Sequence, residues 1–209
     1  MITARFRGRL YDYLAHIFDG DFDNLFGPPD DPANAPSLSK AAAALHAAIV
    51  QSVPDDIRAD QTRLFVTARD GVAAPPYASW YLDGVLRGPS CEWVQQAYAG
   101  QEIETDPDAG EPPDYIGAEL EFMHFLARHE HAATVTGDSD AWREVIASEN
   151  EFVTGHLSHW LPLFIARIRD AKPGPVFAAA CGLLEALLRD EVRRLSSERS
   201  KPTASAIHA

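Results

Sequence analysis

The chain has 209 residues, 46% hydrophobic and 23% charged, which is enough for one sizeable buried core of the soluble globular class. Its 31 acidic residues against 18 basic ones leave a formal charge of −13, which opposes nonspecific binding to nucleic acid or anionic membrane and draws in a cationic partner. No run of about 18 apolar residues is present to span a bilayer, and residues 1–9 contain no secretory hydrophobic region, so a cytoplasmic protein is expected.

In chain order, Phe6, Leu10, Tyr13, Leu14 and Ile17 recur at helical spacing and stop at Asp19 and Gly20, predicting a first helix over Arg5 to Phe18. The stretch from there to Pro36 is too rich in proline and aspartate for regular structure and reads as a loop. Ser37 or Ser39 offers an N-cap for an alanine-rich helix to about Val50, and Pro54 opens another through Ala68. After a connector from Gly71 to Pro76, Tyr77, Trp80, Tyr81 and Leu82 form a dense aromatic patch. Gly88 and Pro89 break the chain again, and Ser90 is expected to cap a short helix to Tyr98 that carries Trp93.

Residues of about 100–114 are acidic and proline-bearing, a hinge between two helical halves. Beyond it, helices are expected from Asp114 to about Glu130, from near Asp138 through Ile168 with a kink or break at Gly155 and Pro162, and from about Pro175 to Leu195. Strand-like alternation is nowhere sustained. The expectation is an all-α, single-domain helical bundle over residues 1–195, followed by a flexible tail over 196–209. Cys91 and Cys181 lack metal-ligand spacing and read as two reduced thiols, Cys181 packed in the core.

On a helical wheel, Ile116, Leu120, Met123, Leu126 and Ala127 share one face, and Glu119 falls inside that apolar arc. A carboxylate there needs a compensating partner. Glu121, His124 and Arg128 fall opposite, as solvated positions. His156 likewise groups with Phe152, Val153, Trp160 and Phe164, so Glu119 and His156 are expected to pair across a helix interface and to specify register more than they stabilise.

Two readings of the remaining polar residues stay open. Glu121 and His124 form an E-x-x-H pair, and His156 and His159 are three apart, with His129 and His131 nearby, which would suit a metal-dependent helical enzyme. A di-metal bundle needs a second E-x-x-H, which the chain lacks. Glycine-rich phosphate loops, G-x-S-x-G, H-E-x-x-H and C-x-x-C are also missing. Alternatively Tyr77, Trp80 and Tyr81 make an amphipathic stacking platform, with Glu111, Asp114, Asp106 and Asp108 supplying negative charge, suited to a peptide that carries arginines beside an apolar stretch.

The chain resembles the TorD/DmsD/NarJ family of chaperones that mature molybdenum-containing redox enzymes. The resemblance rests on the segment Pro76 to Tyr81, on Glu111 to Asp114 leading into Glu119 to Met123, and on Phe152, His156, Leu157, Trp160, Pro162 and Phe164, in that order along nearly the whole chain. It implies an all-helical protein without a cofactor of its own. Such a protein binds the twin-arginine leader of a molybdoenzyme catalytic subunit, prevents premature export and assists molybdenum cofactor insertion. It also implies that Tyr77, Ser79, Trp80, Tyr81, Glu111, Asp114, Tyr115 and Glu119 form the leader-binding region. Tyr115 stands where the family usually has histidine, keeping a hydrogen-bonding ring and losing the imidazole charge. A non-catalytic helical adaptor is a further alternative, and the hinge permits either a monomer or a domain-swapped dimer.

Overall fold

The computed structural model describes residues 3–22, 25, 27–28, 35–67, 71–105 and 110–199. Asp106, Asp108, most of the expected loop before Pro36 and the tail beyond residue 199 lie outside them. Among the described residues the chain is all-α, with one isolated antiparallel bridge between Tyr77 and Tyr115.

Helix α1 spans Ala4–Asp19. Thr3 caps it by accepting from the Phe6 N–H, and Gly20, at φ 75°, closes it in the left-handed conformation that glycine adopts without strain. Helix α2, Pro36–Gln51, has Ala35 as its N-cap and so starts two residues earlier than a cap at Ser37 would place it, and four earlier than one at Ser39. Pro36, whose missing N–H costs nothing at that place, is its first residue, so Ser37 and Ser39 are helical rather than caps. The helix opened by Pro54 is α3, Pro54–Gln61. It widens into a π turn over Thr62–Val66, which places Leu64 and Phe65 in the core and ends the helix short of Ala68.

A short α4, Ala78–Leu82, is followed by α5, Pro89–Ala99. Ser90 does not cap α5. It lies inside the helix, and its N–H and hydroxyl bond to the Asp83 carboxylate at 2.8 and 3.1 Å. Helix α6, Ile116–Thr136, begins two residues later than expected and runs a turn and a half further, to a left-handed Gly137. Asp138 caps α7, Ser139–Phe152, by accepting from Asp140 and Ala141. The expected break occurs at Gly155 as a π turn over Val153–Leu157. Pro162 sits within α8, Ser158–Asp170. Helix α9, Pro175–Arg199, continues four residues beyond the expected start of the tail.

Helices from both sides of the 100–114 connector pack together: α1 lies on α6 and α2 on α9. Phe18, Phe65, Phe164 and Phe177 meet where α1, the first π turn, α8 and α9 converge, with centroids 5.1 to 6.5 Å apart. Each such ring contributes on the order of 2–3 kcal/mol by burial. Cys181 is in the core, as its spacing suggests, and Cys91 is buried as well.

One face of this core is ionic. Arg7 of α1 and Arg194 of α9 each contact Glu130 of α6, Glu149 of α7 and Glu191 of α9, with Arg7 Nε 2.6 Å from Glu191 Oε1 and Arg194 Nη2 2.7 Å from Glu191 Oε2. Three negative charges on two positive ones in a dry site leave a surplus. Burial accordingly pushes Glu149 up from about 4.5 to about 7, with Arg7 and Arg194 only partly offsetting it.

A carboxyl raised on folding holds its proton in the native state after the unfolded chain has lost it. Stability therefore falls as pH rises from about 4.5 through about 7. Glu119 and Asp19, also pushed up by burial, act in the same direction. The protein should melt roughly 2–4 °C higher at pH 6 than at pH 8, for about 1 kcal/mol of linkage. Glu149→Gln should shrink that difference in scanning calorimetry at constant ionic strength; a wild-type melting point that rises from pH 6 to pH 8 would contradict the assignment.

Candidate functional site

Pro75 and Pro76 hold the chain out of helix before α4, while Pro112 to Tyr115 make a turn before α6, closed by Tyr115 N donating to Pro112 O at 3.0 Å, and the two approaches meet at the bridge between Tyr77 and Tyr115. Pro76 O accepts from Ile116 N at 2.9 Å, and Asp114 O accepts from Ala78 N at 3.0 Å. The Asp114 carboxylate completes the clasp, its Oδ2 accepting from Ser79 N at 2.7 Å. Asp114 thus satisfies an orphan N–H of α4 from a distant part of the chain. Its other oxygen is buried without a hydrogen-bond partner, close to Cys91. Burial first, then Asp114, pushes the Cys91 thiol up to about 12, which keeps it protonated and unreactive.

Two tyrosines tie the clasp to its surroundings. Tyr115 donates to Phe18 O at 2.8 Å, at the end of α1, and Tyr98 donates to Pro113 O at 2.9 Å. The α1 end approaches so closely that a Cβ at Gly117 would overlap the Asp19 carboxylate and the Tyr115 ring. Tyr77, half-buried, packs its ring against Tyr115 and donates to Glu111 Oε2 at 2.6 Å.

Behind the clasp, Glu119 is fully buried and accepts two bonds. His156 Nε2 lies 2.6 Å from its Oε1, and Trp160 Nε1 donates to its Oε2 at 3.0 Å. The π turn over Val153–Leu157 brings His156 to this position, and Trp93 of α5 stacks on the imidazole at 5.1 Å. Burial holds the Glu119 carboxyl above its ordinary value, with His156 the largest opposing influence. Trp160 and Phe164 then form the wall against which Tyr81 packs, at 5.8 and 6.0 Å.

What this scaffold leaves exposed is the segment after it. Trp80 is 41% exposed, and Leu82, Val85 and Leu86 are also open to solvent. The turn that carries them is held by Gly84 at φ 72°, by Arg87 N donating to Ser79 Oγ at 3.1 Å, and by Asp83 at the start of α5. Large apolar side chains presented together on a rigid turn are a contact surface.

The residues expected to face a leader therefore divide. Trp80 and Glu111 are exposed, and Tyr77, Tyr81 and Tyr115 are half-buried. Ser79, Asp114 and Glu119 are fully buried and bond to this protein's own chain. Asp83, Val85, Leu86 and Arg87 were not singled out by the sequence, although an apolar pair between two glycines was a legible signal.

The metal constellation does not assemble. Glu121 is exposed, and His124, expected to be solvated, instead turns its Nδ1 to Gly8 O on α1 at 2.8 Å. His156 is committed to Glu119, and His159, exposed, lies beside Ser158. Among the described residues no group of three or more His, Cys, Asp or Glu side chains converges to hold an ion.

Comparison with known proteins agrees with this architecture. A chaperone protein TorD of Vibrio cholerae is 26% identical over 141 residues, covering 65% of this chain and 60% of that protein. A chaperone protein TorD of Psychrobacter is 27% identical over 186 residues, covering 79% of this chain and 80% of that one. The fold matches a solved structure of a proposed redox enzyme maturation protein from Archaeoglobus fulgidus, with a TM-score of 0.51 over 91% of this chain and 93% of that one at 18% identity. The sequence profile of the nitrate reductase delta subunit family matches residues 31–166, and the chain, an all-α protein with the TorD chaperones among its relatives, belongs to that family.

Proposed function

We propose that this protein is a cytoplasmic chaperone that binds the twin-arginine leader of a molybdoenzyme catalytic subunit, delays its export and assists insertion of the molybdenum cofactor. The observation that carries the reading is the exposed segment from Trp80 to Leu86, held by the buried Asp114 clasp at the start of α4, where Tyr77 holds the exposed carboxylate of Glu111. The names of the TorD relatives support it.

Magnitudes assign the parts. Micromolar binding requires about 8 kcal/mol net. A charge pair at 4 Å contributes roughly 4 kcal/mol at an effective dielectric near 20 before desolvation is subtracted. Trp80 offers ~100 Å² of open surface, or about 2–3 kcal/mol, and Leu82, Val85 and Leu86 add comparable areas. Apolar burial therefore supplies most of the affinity. Glu111 and the −13 charge of the chain speed the encounter and orient the arginine pair.

Asp114, Ser79 and Glu119 act as positioning residues. Removing the Asp114 carboxylate leaves the Ser79 N–H buried and unpaired, at a cost of about 1–3 kcal/mol of stability.

Calorimetric titration with a synthetic peptide of two arginines followed by an apolar segment tests the division. Trp80→Ala should weaken binding roughly thirtyfold, for about 2 kcal/mol, and leave the melting temperature unchanged. Asp114→Ala should lower the melting temperature, and Asp114→Asn should affect binding less than Trp80→Ala does. Equal losses of affinity in Trp80→Ala and Asp114→Asn would overturn the ordering.

Salt provides a separate check. Raising ionic strength from 0.05 to 0.5 M should slow association and weaken binding only in part, because screening removes the charge contribution and spares apolar burial. Abolition of binding at high salt would refute the apolar assignment.

A further inference from the structure

Helix α8 is the wall behind Tyr81, and it also carries an exposed stripe that neither the clasp nor the core uses. Trp160, Leu161, Phe164, Ile165 and Ile168 face inward, while Pro162, Leu163, Ala166 and Arg167 face solvent. Leu163 is 49% exposed, at least as open as Trp80. Pro162 removes a backbone bond from the helix interior, and a half-exposed leucine adds little to the core, so this stripe is not explained by the stability of α8.

The stripe borders the exposed segment already described. Helix α4 packs on α8, with the Tyr81 ring on Trp160 and Phe164. On the α8 wheel, Arg167 and Leu163 lie about 20° and about 60° from Trp160, on the side away from the core. Arg167 marks what that flank faces: its Nε donates to Ala73 O at 2.8 Å, in the connector before α4, and its charge acts on the Tyr81 hydroxyl. Half-buried Tyr81 is thus a floor, with Trp80 on α4 and Leu163 on α8 flanking it.

The two ends of α4 differ in charge. Burial raises the hydroxyls of both Tyr77 and Tyr81. Of the charges around them, Glu111 and then Asp114 act most on Tyr77 and Arg87 least, whereas the charge that acts on Tyr81 is Arg167. Helix α8 has no carboxylate before Asp170. In a chain of charge −13, its exposed stripe is therefore a face that repels a ligand's arginines and accepts its apolar part.

Resting on the leader-binding reading above, we propose that the ligand is held with a fixed polarity: its arginine pair at Tyr77 and Glu111, its apolar segment passing over Trp80 and Tyr81 onto Leu163 of α8. Leu163 then helps to select the apolar segment, and Arg167 selects against a cation within it.

Photocrosslinking of the full chain to a peptide of two arginines followed by an apolar segment tests the polarity. A benzophenone at the end of the apolar segment should attach to α8, and one beside the arginine pair should attach near Tyr77 or Glu111. The reverse pattern, or one pattern for both probes, would overturn the proposal. In calorimetric titration with the unlabelled peptide, Leu163→Ala should weaken binding about fivefold and leave the melting temperature unchanged. Val135→Ala, at a more exposed apolar position on α6, should change neither. Unchanged affinity in Leu163→Ala, with the wild type binding, sinks this inference alone; a wild type that does not bind the peptide sinks the leader-binding reading with it.

Discussion

The structure depends on one buried carboxylate being satisfied. Glu119 sits on the apolar face of α6, where an unpaired charge would cost several kcal/mol, and takes one bond from His156 and one from Trp160. Both donors come from the opposing helical run, so the bonds set the register of α6 against the π turn and α8. Trp160 is then in place to receive Tyr81, and Trp93 is in place to cover His156. The aromatic floor under the exposed segment is in this sense a consequence of how one glutamate finds its partners.

The same logic recurs in the clasp and in the ion network. Asp114 is buried because it satisfies an N–H of α4, and Glu130, Glu149 and Glu191 are buried because two arginines reach them. Buried ionic contacts of this type contribute little net stability against an apolar alternative, but they penalise every arrangement that leaves one group alone. The molecule therefore spends several of its acids on geometry. Its surface keeps the rest, Glu111 among them, as a field that attracts a cationic ligand.

Much of the local organisation was legible in the chain. The period of Phe6, Leu10, Leu14 and Ile17 marked α1, and the placement of Glu119 and His156 on apolar faces pointed to their meeting. Periodicity speaks only to the face a residue occupies on its own helix, and this is where it misled. His124 lies opposite the main apolar arc of α6, yet α1 covers that flank and offers it the Gly8 carbonyl. Asp114 sits in a proline-rich turn, where charge ordinarily faces water, yet pairing with residues 76–79 takes it inside. Nothing in their own neighbourhoods singles out Arg7, Glu130, Glu149, Glu191 and Arg194 as one cluster, because each looks like an ordinary polar position and they are spread over nearly the whole chain.

By itself the sequence determined the helical class, the approximate helix ends, the net negative charge and the presence of an aromatic segment beside an acidic one, since all of these follow from composition, short-range spacing and capping. Only the tertiary structure decided which carboxylates are buried, that Trp80, Leu82, Val85 and Leu86 remain open, and that Arg7 and Arg194 share Glu130, Glu149 and Glu191. Those outcomes are set by contacts between residues tens to more than a hundred positions apart, whose free energies depend on desolvation and mutual geometry that no local pattern encodes.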